Sequence, residues 1–278
     1  MKASFWKTVA FQGEPGAYAH VAASQTCPKA KPLPCATFEA AFDAVAKGKA
    51  DGAVIPLENS TMGRIADIHH LLPESTLHIV GEVYLPIRHH LLAVKGAKLA
   101  DIREVYSQYP ALLQCDKSLK KNGLKPVQWG DTAGAAAHVA KLGDTSKAAL
   151  ASSLAGEVYG LHVLHAAMND HDHNTTRFIL LGRTAVLPPA KAMAKTSLLF
   201  RTRNIPAALY KALGGFATNG INLTKLESYQ LGGRFNHTQF YADVDGHIKS
   251  PAMQRAVEEL NFYADFVRIV GCYAAAEK

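Results

Sequence analysis

His171-Asp-His-Asn-Thr-Thr-Arg-Phe-Ile-Leu-Leu-Gly-Arg183 passes from a polar run, which begins at Asn169 and ends at Thr175, into Thr176-Arg177-Phe178 and then three apolar residues, Ile179 to Leu181. This reads as a loop entering a buried strand. A hydroxyl, a guanidinium and an aromatic ring stand side by side at the junction. In open α/β folds, ligands bind in clefts where strands meet loops. A Thr hydroxyl both donates and accepts a hydrogen bond, and an Arg fork can hold a carboxylate through two. The triplet suits a small anion that must lose a hydroxyl. Taken alone, it also suits an ordinary strand start with a solvated Arg and a core Phe.

Upstream, apolar runs and helical periodicities alternate. Thr8 to Phe11 reads as a strand, followed by Gln12-Gly-Glu-Pro-Gly16 and a helix from about Ala17. Such a turn can aim backbone N–H groups at an anion. Thr37 reads as the N-cap of a helix in which Phe38, Ala41, Phe42 and Val45 recur at helical spacing. Asp51 to Ile55 is a buried strand that Pro56 is expected to stop. The segment that follows, Leu57-Glu-Asn-Ser-Thr-Met-Gly63, is a second cleft candidate. Leu77 to Val94 reads as two strands or a bent one. Val105 to Ser107 is a strand, and one helix is expected from Ala111 to Asn122, with Gln114 one turn in. Pro126 to Trp129 and Ala148 to Ala151 are strands, with helices capped by Asp131 or Thr132 and by Ser152. The alternation predicts α/β with a mostly parallel sheet, arranged as two lobes around a cleft.

After a linker rich in Pro and Ala, the pattern restarts as β-α-β-β-α-β over 196–278, with a turn at Leu231-Gly-Gly233. That order matches the ferredoxin-like sandwich, a common dimerising or regulatory module.

The 278 residues suffice for two domains, and 30 basic against 23 acidic residues leave a net charge of +7. The basic residues are scattered without interleaved aromatics, so no nucleic-acid platform is expected. The sequence has no run long enough for a membrane helix and no apolar leader near Met1, which predicts a cytoplasmic protein. Cys27, Cys35, Cys115 and Cys272 form no CxxC and read as reduced thiols. His162, His165, His171 and His173, with Asp170 and Asp172, offer metal-ligand types. Gly160 breaks the helix before them and the spacing matches no metal site, so they read as loop histidines.

In order, FQGEPGAYAHVA, DGAVIPLENSTMGRI, VYSQYPALLQC, DTAGAAAHVA, ASSLAGEVYGLHVL and HNTTRFILLGR make the chain similar to prephenate dehydratase with a C-terminal ACT regulatory domain. The resemblance covers essentially the whole length. It implies a two-lobed catalytic domain like a type II periplasmic binding protein over 6–183, a linker over 184–195 and an ACT domain over 196–278. It implies conversion of prephenate to phenylpyruvate, CO₂ and water in phenylalanine biosynthesis, with no cofactor and no metal. Arogenate dehydratase is the alternative, and a non-catalytic small-anion binder is another.

By that resemblance, Thr176 assists the leaving hydroxyl, and Asn59, Ser107 and Gln114 orient it or the carboxylates. Glu58 is either a proton donor or a brace for its loop. Arg177 either clamps a carboxylate or pairs with an acid. Thr175, Phe178, Ser60, Thr61, Gly13, Gly16 and Tyr18 are expected around the substrate. Ala207, Leu209, Asn222, Leu223, Glu227 and Ser228 stand where the family's phenylalanine pocket lies, so phenylalanine as effector and self-association through the ACT domain are implied. Ala207 adds a methyl where the family has glycine, and Tyr229-Gln230 replace its Arg-Pro. Gln108-Tyr109 likewise replace its His-Pro after Ser107.

Overall fold

The computed structural model describes residues 6–231 and 234–277. In chain order the first elements are β1 (Thr8–Gln12), α1 (Tyr18–Thr26), β2 (Lys31–Cys35), α2 (Phe38–Ala46), β3 (Gly52–Asn59), β4 (Gly63–Arg64), α3 (Ala66–Glu74), β5 (His78–Pro86) and β6 (His90–Ala93). Next come β7 (Glu104–Ser107), α4 (Tyr109–Leu113), α5 (Asp116–Lys121), β8 (Lys125–Gln128), α6 (Thr132–Leu142), β9 (Lys147–Ala151), α7 (Ser153–Tyr159), β10 (His162–His165) and β11 (Thr175–Gly182). The last six are β12 (Ala194–Thr202), α8 (Ala208–Thr218), β13 (Leu223–Leu231), β14 (Arg234–Asp245), α9 (Pro251–Tyr263) and β15 (Ala264–Ala274).

One compact unit comprises the chain up to Ile65 together with Tyr84–Phe178. It holds two α/β lobes. In the first, β1 lies between β2 and β3, all parallel, and β4 folds back antiparallel on β3. Val9, Ala10 and Phe11 are buried because the strand is covered on both faces. The Thr37 hydroxyl accepts from the Ala40 amide at 3.1 Å, so α2 starts where its cap predicts and buries Ala41, Phe42 and Val45. In the second lobe the strand order is β10-β6-β9-β7-β8. There β7 runs parallel to β8 and β9, while β6 is antiparallel to β9 and β10.

The other unit comprises Ala66–Val83 and the chain from Ile179 onward. Its β12-α8-β13-β14-α9-β15 segment forms an antiparallel sheet in the order β13-β14-β12-β15, the expected βαββαβ sandwich. Phe216 of α8 and Met253, Ala256 and Leu260 of α9 pack on Leu198, Phe200 and Phe240. β15 runs parallel to β5 through Gly271 and Ile79. The buried Lys195 ammonium meets both Glu82 carboxylate oxygens at 2.8 and 2.9 Å.

Three expectations need correction. Pro56 does not stop β3, which continues to Asn59. Its fixed φ fits extended backbone, and only the N–H donor is lost. The helix expected from Ala111 to Asn122 is two short helices broken at Gln114 and Cys115. The Asp170 carboxylate accepts from the Lys117 and Ser118 amides at 2.8 and 2.9 Å, so it satisfies the first turn of α5 from outside the segment. Finally, His162 and His165 lie on β10 rather than in a loop. Gly232 and Gly233 of the turn expected at Leu231-Gly-Gly233 lie outside the described residues. No helix among the described residues is long and apolar enough to cross a membrane.

Candidate active site

A cavity of about 310 Å³ opens within the two-lobed unit. Its lining includes six residues expected from the sequence: Gly13, Tyr18, Asn59, Gln114, Thr176 and Phe178. It also includes His89, Arg64, Gln108 and Asp131, which sequence reasoning did not single out for the site. β1 ends at Gln12, so its loop brings Gly13 to the rim. β3 delivers Asn59, β11 delivers Thr176, and the break after α4 turns Gln114 inward.

Asn59, Thr61, Gln114 and Asn174 form a closed ring of side-chain hydrogen bonds. Asn59 Nδ2 donates to Asn174 Oδ1 at 2.8 Å, and Asn174 Nδ2 donates to Gln114 Oε1 at 2.8 Å. Gln114 Nε2 donates to Thr61 Oγ1 at 2.9 Å, whose hydroxyl donates back to Asn59 Oδ1 at 2.7 Å. The amides of Thr61 and Met62 donate to the same Asn59 oxygen at 2.9 and 3.0 Å. Two bonds leave the ring. Asn59 Nδ2 also reaches Thr176 Oγ1 at 2.9 Å, and Gln114 Oε1 meets His89 Nε2 at 3.0 Å. Because Thr176 accepts from Asn59, its own proton can be given to a group in the cavity.

Other expected residues stand elsewhere. Ser107 is fully buried, and its hydroxyl donates to the Leu150 carbonyl at 2.7 Å, so it ties β7 to β9 and does not reach the cavity. Arg177 is 3% exposed and donates to Glu58 at 2.9 Å. Neither lines the cavity, and the two side chains pair with each other. Ser60 donates to the His173 carbonyl and accepts from the Thr175 amide, which stitches β11 to the end of β3. Gly16 has φ +90°, and a Cβ there would lie 2.6 Å from Ala155 Cα. It is needed for this close approach.

The His89 ring is 1% exposed, and burial lowers its pKa to about 4. It is therefore neutral near pH 7. The Tyr18 hydroxyl lies 2.8 Å from both His89 Nδ1 and the Arg88 carbonyl. Burial, with the Cys115 thiol adding to it, raises that phenol well above its usual range. Among the described residues, Arg64 is the one Lys or Arg that lines the cavity. No cluster of three His, Cys, Asp or Glu among the described residues could hold a metal ion.

In the other unit, a second cavity of about 250 Å³ is lined by residues that include Asn204, Ile205, Ala207, Leu209 and Tyr210. Of the expected effector residues, it gathers Ala207 and Leu209. Asn222 instead donates to Asp245 at 2.9 Å, Glu227 accepts from Lys225 at 2.8 Å, and Leu223 packs on the core. Ser228 sits on β13 opposite Phe240.

Residues 9–186 match the family model described as prephenate dehydratase. The chain is 46% identical to a bifunctional N-acyl-homoserine lactone acylase/prephenate dehydratase from Komagataeibacter europaeus, over 97% of this chain and 96% of that one. It is 39% identical to arogenate dehydratase/prephenate dehydratase 2 of Arabidopsis thaliana, over 95% of this chain and 72% of the relative. Among solved structures, a prephenate dehydratase from Arthrobacter aurescens in complex with L-Phe superposes with a TM-score of 0.89 at 29% identity, covering 97% of this chain and 90% of that one.

Proposed function

The chain belongs to the prephenate dehydratase family, and from that premise we propose that the cavity binds prephenate and releases phenylpyruvate, CO₂ and water. The ring carboxylate departs as CO₂, and its bonding pair enters the ring. The opposite C–O bond breaks, and the hydroxide that leaves takes up one proton and becomes water. Aromatisation drives the step. The protein must hold the dianion, exclude water and stabilise the oxygen as it departs.

Thr176 carries this reading: its acceptor side is filled by Asn59, and its proton is available to the cavity. A neutral Thr is too weak an acid to surrender its proton outright. It donates a hydrogen bond, and the proton itself arrives through water. Arg64 holds the pyruvyl carboxylate, whose charge persists through the reaction. A cation on the departing carboxylate would stabilise the ground state more than the transition state. Phe178 and Ile87 supply apolar wall for the ring.

Incubation with prephenate, followed by the ultraviolet absorbance of phenylpyruvate, tests the reading, with arogenate run in parallel to rank the two substrates. Absence of turnover on both would leave a binder, not an enzyme. The acylase activity named for the Komagataeibacter relative finds no comparable support in the cavity. No Ser, Thr or Cys among the described lining residues is hydrogen-bonded to an imidazole.

We assign 6–183 to catalysis, 184–195 to a linker and 196–278 to an ACT domain that self-associates and binds L-phenylalanine near Ala207 and Leu209. The cytoplasm is its compartment. The βαββαβ order and the second cavity support this assignment. A thermal shift with L-phenylalanine, with light scattering for the oligomer, tests it.

A further inference from the structure

Asn174 is 3% exposed and does not line the cavity. Nothing in the expected set of site residues includes it. Its bonds nevertheless determine what the cavity offers a substrate.

The ring runs in one direction, and that direction follows from chemistry. The Thr61 and Met62 amides can only donate, so the Asn59 atom facing them is its oxygen. Asn59 Nδ2 therefore faces Asn174, which must present its oxygen in return. Asn174 Nδ2 then faces Gln114, which must present Oε1. His89 Nε2 approaches that same oxygen and must carry a hydrogen. A neutral imidazole with hydrogen on Nε2 has a bare Nδ1, which competes with the Arg88 carbonyl, also 2.8 Å away, for the single Tyr18 proton. At the other exit, Asn59 can donate to Thr176 only in this sense.

We infer that Asn174 is a positioning residue for the dehydration: it links Asn59, which donates to Thr176, to Gln114, and it keeps Gln114 Oε1 toward His89 at the cavity wall. This rests on the prephenate reading for its kinetic consequence, but the ring and the tautomer do not depend on the substrate.

Asn174→Asp separates geometry from chemistry. The carboxylate still accepts from Asn59 but cannot donate to Gln114. Gln114 must turn Nε2 toward it, and His89 must then bare Nε2 and move its hydrogen to Nδ1. Nitrogen-15 spectra of labelled protein, assigned with His89→Gln, report the tautomer directly. The expected results are hydrogen on Nε2 in the wild type, hydrogen on Nδ1 in Asn174→Asp, and a kcat about 10- to 100-fold lower with KM within about threefold. Asn174→Ala should lower kcat similarly.

A wild-type spectrum with hydrogen on Nδ1 overturns the inference, whatever the variants do. So does an Asn174→Asp protein that keeps the wild-type tautomer, whether its kcat is unchanged or lost. If the wild type turns over neither prephenate nor arogenate but shows the expected tautomers, the prephenate reading fails and the ring survives.

Discussion

Two polar networks in this molecule are built from similar parts and have different consequences. On the βαββαβ sheet, the Asp243 carboxylate accepts from Ser197 Oγ and, at 2.7 Å, from the Tyr241 hydroxyl, and Tyr273 lies 2.8 Å from Ser197. All four side chains are at most 1% exposed. In the two-lobed unit, Asn59, Asn174, Gln114 and Thr61 close a ring that is just as well bonded. The first network lines neither of the two cavities described above, whereas the second leaves Thr176 with a proton facing a void. Satisfied polar groups stabilise a core; a satisfied network with one donor left over at a cavity wall can do chemistry.

Removing a member of each should have opposite effects. Asn59→Ala should lower kcat on prephenate by on the order of 10²-fold or more, with only ~1 kcal/mol lost in urea unfolding, because water can refill its site. Asp243→Ala should lose ~3 kcal/mol, since buried donors are left without their acceptor, while kcat per folded molecule stays constant. Equal kinetic losses in both would erase the distinction.

The two arginines sharpen it. Arg177→Met strips the buried partner from Glu58 and should cost ~3 kcal/mol of stability. Arg64→Met should raise KM about 10-fold, with a smaller change in kcat, because it removes a contact common to ground and transition states. A reversal of these two phenotypes would return the carboxylate clamp to Arg177.

His89 adds a pH signature. Burial holds its pKa at about 4 against an ordinary 6.5. Between those values the unfolded chain binds a proton that the folded chain refuses, so this residue lowers stability as pH falls through the window. Between pH 7 and pH 5 its share is ~2 kcal/mol. His89→Gln should flatten that part of the urea-midpoint profile; a profile unchanged by the substitution would place the proton elsewhere.

The smallest effect belongs to the second cavity. Ala207 has φ +61°, a left-handed conformation that costs an L-residue ~1 kcal/mol. Ala207→Gly should gain up to that amount in unfolding free energy, offset in part by the unfolded entropy of glycine. A loss of stability would show that the methyl packs usefully.

Much of this site could be read from the sequence because its chemistry is local. Thr176-Arg177-Phe178 and Glu58-Asn59-Ser60 each declare a polar cluster at a strand end, and the structure puts Thr176 and Asn59 in one hydrogen bond. Which side chain of each cluster faces the cavity was harder to read. Arg177 and Glu58 pair with each other across 119 positions, and Ser107 turns to a neighbouring strand. His89 stands in an apolar run with no spacing to mark it. Gln114 reaches the cavity only because Asp170, 56 positions later, caps the helix that restarts after it. Long-range partners of this kind leave no periodic trace in a sequence.

The most direct measurement compares Thr176→Val, nearly isosteric and without a hydroxyl, with Thr176→Ser, which keeps it. Both are assayed on prephenate against the wild type, with binding of a non-reacting dicarboxylate measured in parallel. Serine should stay within about 10-fold of wild-type kcat and valine should fall by on the order of 10²- to 10³-fold, with ligand affinity little changed in either. A valine enzyme that turns over prephenate as fast as the serine enzyme would contradict a role for this hydroxyl in the departure of oxygen.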